Sequence, residues 1–500
     1  MSGTRGVRSA LVGNYAALAI ALVSQVVLLP LLLARVGPSV AGTFVLLWSA
    51  VNFAAIGIGW LSSGGVVLMT RSAAEADDAR LASLYRRFAL IMAGYALLVW
   101  LFLGAWSGGV GTLWLRGLSV ADVTAVRWAT QGAGLYVVAM YVHQADLALL
   151  TARLQQGRAA IFRVGLQLLM FVGALAGIAT GTGVAGMFGG YAAAAVITAS
   201  AAHLSVRARG FPTTSVAAGA GDASRGPMRE ILGTFAGYSI VAVLAQFSDV
   251  AIIGVLGGPE VTIVYAFLQR LPDAAALLVG RGSESLGPYF TTLSGRGEQA
   301  ELTALFLTSG RVVWRTAVVA GVGFAVFGND LVSWWSQGRL VLPSPFFFAG
   351  AGVVITATII NRHAALLAYY GGHTAEATRL AAIELVIRTV VVCLLFARAG
   401  EQAPMIAALL AQCTLLLVAY RRLESRVLGI GVSRVLDACA KPAAATGAVT
   451  LVIMVALRAA GGIDVRGRAI ALVLATLAAV AVLVAQEREL GRSFLRRRLA

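Results

Sequence analysis

Residues Gln246–Thr292 read QFSDVAIIGVLGGPEVTIVYAFLQRLPDAAALLVGRGSESLGPYFTT, and this stretch decides the fold. It is an apolar hairpin. A first apolar segment carries one acid, Asp249, and ends at Gly257-Gly258-Pro259. The second carries Arg270 and Asp273 and closes near Pro288. Each arm is long enough for a lipid-crossing helix, which needs about 20 mostly apolar residues. Ionised groups at that depth are costly, so Asp249 and Arg270 are functional candidates.

The rest of the chain repeats the theme. Of 500 residues, 59% are hydrophobic and 12% charged; mean hydropathy is +0.85. A soluble chain is about 25% charged. The composition describes an all-α polytopic membrane protein. In a soluble protein a net charge of +17 would suggest nucleic acid; here it reads as arginines in short connections that set orientation and face anionic lipid. Cys393, Cys413 and Cys439 lie in or beside apolar segments without metal-ligand spacing and read as small buried hydrophobes. The first apolar segment is too long for a signal-peptide core and reads as a retained helix.

Hydropathy predicts about fourteen spans, from 11–34 and 42–63 to 436–457 and 469–485. Arginines cluster in alternate connections: Arg71, Arg80, Arg86 and Arg87; Arg153, Arg158 and Arg163; Arg421, Arg422, Arg426 and Arg434. The intervening connections are sparse, which predicts both termini on the cytoplasmic side. A segment at 205–230, rich in Gly, Ala and Ser, reads as a linker. The expected organisation is a bundle over 1–204, the linker, a bundle over 231–420, and an additional helix pair with a basic tail over 421–500.

An ungapped shift of 221 residues superposes the first bundle on the second. Gln25 falls on Gln246, Gly37-Pro38 on Gly258-Pro259, Val40 on Val261, and Ser62 on Ser283. Both copies start on the same side. The expected fold is therefore two parallel six-helix repeats plus a C-terminal pair, a plan that puts a substrate path between halves.

Two stretches resemble the multidrug/oligosaccharidyl-lipid/polysaccharide exporter superfamily, in its polysaccharide-transporter or oligosaccharide-flippase branch. One is VLLPLLLARVGPSVAGTF with Gly57 and Leu61-Ser62-Ser63-Gly64; the other is Asp249–Pro288 with its Gly-Pro turn, Tyr265, Arg270-Leu271 and Leu286-Gly287-Pro288. The resemblance implies a multi-pass protein of the bacterial cytoplasmic membrane. It would move a lipid-linked oligosaccharide by alternating access for surface polysaccharide synthesis, without a cofactor. Membrane lipids, a polysaccharide polymerase and glycosyltransferases are the partners implied.

Candidate site residues divide between the halves. Arg270, Arg362 and Arg388 could engage a diphosphate, since guanidinium matches phosphate oxygens in pairs. The bland readings are an ion pair of Arg270 with Asp273 or Asp249, and of Arg388 with Glu384 at i,i+4. Asp249 is either a coupling site for a cation or proton, or a partner of Arg270. Gln25 and Asn52 could contact sugar hydroxyls or simply bond between helices. His143 and Asp146, near a helix end, read as partly solvated.

Other classes fit less well. An ion-coupled multidrug or metabolite antiporter of the same superfamily remains open; a cation exporter would favour unpaired acids. A membrane glycosyltransferase or polysaccharide polymerase would need acidic residues in a substantial external loop, and these loops are short. Lys441 is the only lysine, and no phosphate-cradling loop surrounds it. The expectation is a transporter, not an enzyme, with neither metal nor cofactor.

Overall fold

The computed structural model describes residues 2–54, 77–108, 119–153, 155–209, 225–284, 296–340, 345–423 and 431–459, with a few isolated positions between. The last part of the expected 42–63 span, the 469–485 span, most of the 205–230 linker and the basic tail lie outside them. All regular structure among the described residues is helical. In chain order the helices are α1 (Ser2–Ala54), α2 (Asp78–Gly108), α3 (Val120–Ala152), α4 (Gln156–Ala179), α5 (Gly183–Arg207) and α6 (Arg225–Glu284). They continue as α7 (Gln299–Trp335), α8 (Pro345–Tyr370), α9 (Thr374–Ala399), α10 (Ala403–Leu423), α11 (Val432–Val435) and α12 (Lys441–Ala459). A π-helical turn, Leu436–Ala440, joins the last two.

Ten stretches of described helix are long and apolar enough to cross a membrane, so the chain is a multi-pass membrane protein. Large apolar side chains such as Leu98, Phe102, Trp128, Leu394 and Leu417 are exposed, as a lipid-facing surface requires. Some of the long helices turn back or break within themselves. In α1 the backbone leaves helical geometry at Gly37 (φ 81, ψ 173). In α6 it does so at Gly258 (φ 77, ψ −177). Both positive φ angles suit glycine alone, and the proline that follows each cannot continue the preceding hydrogen-bond ladder. The two Gly-Pro turns seen 221 residues apart in the sequence thus share one backbone geometry.

Packing divides the chain into two compact units, Met1–Ile263 and Val264–Ala500. The boundary falls inside α6 because the first arm of α6 packs on the second arm of α1. A Cβ on Gly254 would meet Leu46 Cδ2 at 2.2 Å, and one on Gly42 would meet the Pro259 carbonyl oxygen at 1.8 Å. Beside them Ser39 Oγ donates to Glu260 Oε1 at 2.7 Å.

Within the first unit, α3 and α4 pack on α5, α2 on α3 and α1 on α4. Lipid is as apolar as leucine, so close backbone approach, not water exclusion, holds such helices together. The α4–α5 hairpin shows it. Gly173 and Gly177 face Gly190 and Gly186, and a Cβ on Gly177 would lie 2.4 Å from the Gly186 carbonyl carbon. In the second unit α7 packs on α8 and α12, and α10 on α8 and α9. There Gly321 lies against Gly352, and Thr356 Oγ1 donates to the Ala317 carbonyl at 3.2 Å.

Candidate functional site

The second unit gathers the three arginines singled out in the sequence. The ladder begins on α6. Tyr265, 3% exposed, donates through its hydroxyl to Gln269 Oε1 at 3.0 Å. Gln269 Nε2 donates to Asp273 Oδ1 at 3.0 Å. The i,i+4 spacing puts the three on one helix face. Arg270 of α6, Arg388 of α9 and, more weakly, Arg362 of α8 lie near enough for their charges to act on the Asp273 carboxylate.

Arg388 is 7% exposed, and its Nη1 donates to Glu384 Oε1 at 3.1 Å, one turn back on α9. The bland reading of this pair therefore holds as geometry, but the pair is not isolated. Glu384 Oε1 also accepts from Gln412 Nε2 on α10 at 2.7 Å. Gln412 Oε1 in turn accepts from Asn361 Nδ2 on α8 at 2.8 Å. Asn361 directly precedes Arg362 in the chain. A continuous polar network thus joins α8, α9 and α10 beside the Asp273 ladder. These three arginines with Asp273 and Glu384 carry one positive charge in excess among the five groups. Such an arrangement is suited to a dianionic or polyanionic ligand.

His363, the third member of the polar run on α8, serves packing. It is buried, stacks on Phe306 with ring centroids 5.2 Å apart, and its Nε2 lies 3.3 Å from Ser309 Oγ.

The remaining candidates fall in the first unit. Asn52 Nδ2 donates to the Trp48 carbonyl of its own helix at 2.8 Å, so it secures the α1 backbone. Gln25 is half-buried on α1, and Asp249 is fully buried on the first arm of α6. Trp48 sits in a nest of Phe44, Tyr136, Phe188 and Tyr191, its ring centroid 5.3 Å from that of Tyr191.

One expectation is corrected here. His143 and Asp146 are not partly solvated; they are 0% and 1% exposed. Sequence reasoning also missed Gln269 and Gln412. Polar residues one turn from a buried charge are a usable signal for the first, whereas the second joins the network only through tertiary packing.

No protein-family model matches the chain, and no curated protein matches it in sequence. Solved structures do resemble it. The lipid II flippase MurJ in an inward closed conformation superposes with a TM-score of 0.69 at 11% identity, over 96% of this chain and 99% of that one. An inward-facing multidrug resistance MATE family transporter of the MOP superfamily gives 0.66 at 13% identity, over 82% and 98%. A MOP superfamily transporter from Pyrococcus furiosus, described by a binding pocket of reversed polarity, gives 0.61 at 13% identity, over 85% and 96%. The chain shares the fold of these MOP-superfamily transporters.

Proposed function

We propose that this protein is a flippase for an anionic lipid-linked substrate, in the first place a polyprenyl-diphosphate-linked oligosaccharide used for surface polysaccharide. The observation that carries this reading is the buried polar network of Arg388, Glu384, Gln412 and Asn361 in an apolar helical unit, with the charges of Arg270 and Arg362 near enough to act on Asp273 as that of Arg388 does. Guanidinium forks bind diphosphate oxygens through paired, charge-assisted hydrogen bonds. Asp273 and Glu384 hold the arginines in place while no anion is bound. The oligosaccharide would meet polar groups such as Gln25 and Asn52, and the lipid tail would remain in the bilayer.

The reading includes the plan of two parallel bundles over 1–204 and 231–420 with an additional pair, about fourteen spans in all, cytoplasmic termini and a bacterial inner-membrane location. Alternating access would carry the head group across. A polymerase and glycosyltransferases would be its functional neighbours. A second reading has its own support: MATE multidrug transporters share the fold as well as the flippase does. In that case the chain exchanges a drug or metabolite for an ion, with Asp249 as the coupling group.

The experiment is headgroup flipping of a fluorescent polyprenyl-diphosphate sugar in proteoliposomes. Arg270→Ala is expected to lower the rate by about 10- to 100-fold, the worth of a charge-assisted contact. Arg270→Lys should retain part of it, since the charge stays and the fork is lost. Full activity of Arg270→Ala refutes the assignment. Ion-driven efflux of a small organic cation, with no flipping, establishes the antiporter instead.

A further inference from the structure

The first unit contains a second polar cluster that the transport reading does not use. Tyr85 on α2, His143 and Asp146 on α3, and His203 on α5 lie at one level near the ends of their helices. Asp146 Oδ1 accepts from the Tyr85 hydroxyl at 2.6 Å, and His203 Nδ1 lies 3.3 Å from the same oxygen. Asp146 Oδ2 is buried and makes no hydrogen bond, and neither ring nitrogen of the fully buried His143 makes one. His143 precedes Asp146 by three residues and shares its helix face. The other charges that act on the cluster are Arg163 of α4, near His143, and Arg207 of α5, near Tyr85.

A buried polar atom without a partner is expensive, and native structures rarely keep one without a use. Here such atoms occur on a carboxylate and an imidazole that share one helix face, and both groups exchange protons. The two oxygens of the carboxyl group are unequal. Ionised, it accepts from Tyr85 and His203 through Oδ1. Protonated at Oδ2, it keeps both bonds at Oδ1 and loses the buried charge. His203 supplies the route: its side chain is 36% exposed while that of Asp146 is 1% exposed. A proton arriving at the imidazole is therefore one hydrogen bond from the buried carboxylate. A metal ion fits less well, because no three His, Cys, Asp or Glu residues converge on one position among the described residues.

We propose that Asp146, with Tyr85 and His203, is a proton-binding site in the first unit. Taking up one proton cancels one full charge at the junction of α2, α3 and α5. The packing of those three helices is thereby tied to pH, whatever substrate the second unit carries. The site is separate from Asp249.

The test uses the purified full-length protein in lipid nanodiscs and no transported substrate, so it stands apart from the flipping assay. Infrared difference spectra are recorded between alkaline and acid pH. A protonated-carboxyl C=O band is expected to appear on acidification in wild type and in Asp249→Asn, and to be missing in Asp146→Asn. Tyr85→Phe and His203→Gln keep the carboxyl group but remove its partners. Each is expected to move the pH midpoint of the band by about one unit or more, the worth of a hydrogen bond to a charged group. A band unchanged in Asp146→Asn overturns the proposal. Should that variant not fold, an unmoved midpoint in both partner variants overturns it equally.

Discussion

Gly42→Ala is the most exacting perturbation of the two Gly-Pro turns. A Cβ at this position would lie 1.8 Å from the Pro259 carbonyl oxygen, 2.4 Å from its carbon and 2.9 Å from its Cα. Non-bonded carbon contacts settle near 3.5 Å or beyond, so the turns would have to part by about 1.5 Å. The obstacle is backbone, which has no rotamer to change. Overpacking of this kind costs about 1–3 kcal/mol, against a helix-propensity gain for alanine of up to about 1 kcal/mol. The net effect is loss of contact between the turns and of the Ser39–Glu260 hydrogen bond. An assay follows from that bond. Ser39→Cys and Glu260→Cys are introduced with Cys393, Cys413 and Cys439 replaced by serine, and a short bifunctional thiol reagent is added. Gly42→Ala is expected to slow cross-linking about 5- to 30-fold, the population equivalent of 1–2 kcal/mol. Gly94→Ala is the control: a Cβ there meets nothing within 4 Å, so the rate should not change. Cross-linking of Gly42→Ala at the parent rate would refute the close approach.

Three further outcomes follow from the packing and the polar network. Gly177→Ala should spread the α4–α5 hairpin and lower thermal stability in detergent by the equivalent of about 1–3 kcal/mol; an unchanged melting curve would contradict the backbone contact with Gly186. Arg388→Leu leaves Glu384 charged and only partly satisfied by Gln412, a loss of about 3–5 kcal/mol, and Arg388→Leu with Glu384→Leu should recover most of it. If the single variant melts like the parent, the pair is not structural. Asp273→Asn removes the carboxylate on which the charges of all three arginines act and should tighten pyrophosphate binding by about tenfold in calorimetry; unaltered affinity would show that Asp273 does not screen them.

What the sequence made legible depended on whether a local rule applied. Gly37-Pro38 and Gly258-Pro259 could be read as turns because only glycine tolerates the positive φ found at both. Long apolar runs announced the membrane helices, and Arg270 stood out because charge inside such a run is rare. The nearness of Arg362 and Arg388 to Asp273 was not legible. It depends on which residues of α8 and α9 share a level with α6, and no linear spacing encodes that. The burial of Asp146 escaped for a related reason. A helix that is apolar all round, as α3 nearly is, has no polar stripe to say which face meets protein, lipid or water. Proximity to a helix end suggested solvent, while Tyr85 and His203 from two other helices close over it.

The Ser39–Glu260 bond has a further meaning, because its two residues are 221 apart, the same interval that relates one Gly-Pro turn to the other. Position 39 therefore meets its own counterpart. In a symmetric homodimer a residue does this only on the two-fold axis, where the contact must be between identical side chains. Two serines there would make a weak bond, and two glutamates would repel. A single chain whose two turns differ in sequence is free of that restriction, and a hydroxyl can face a carboxylate. The bond at this turn is one that an assembly of two identical copies could not have made.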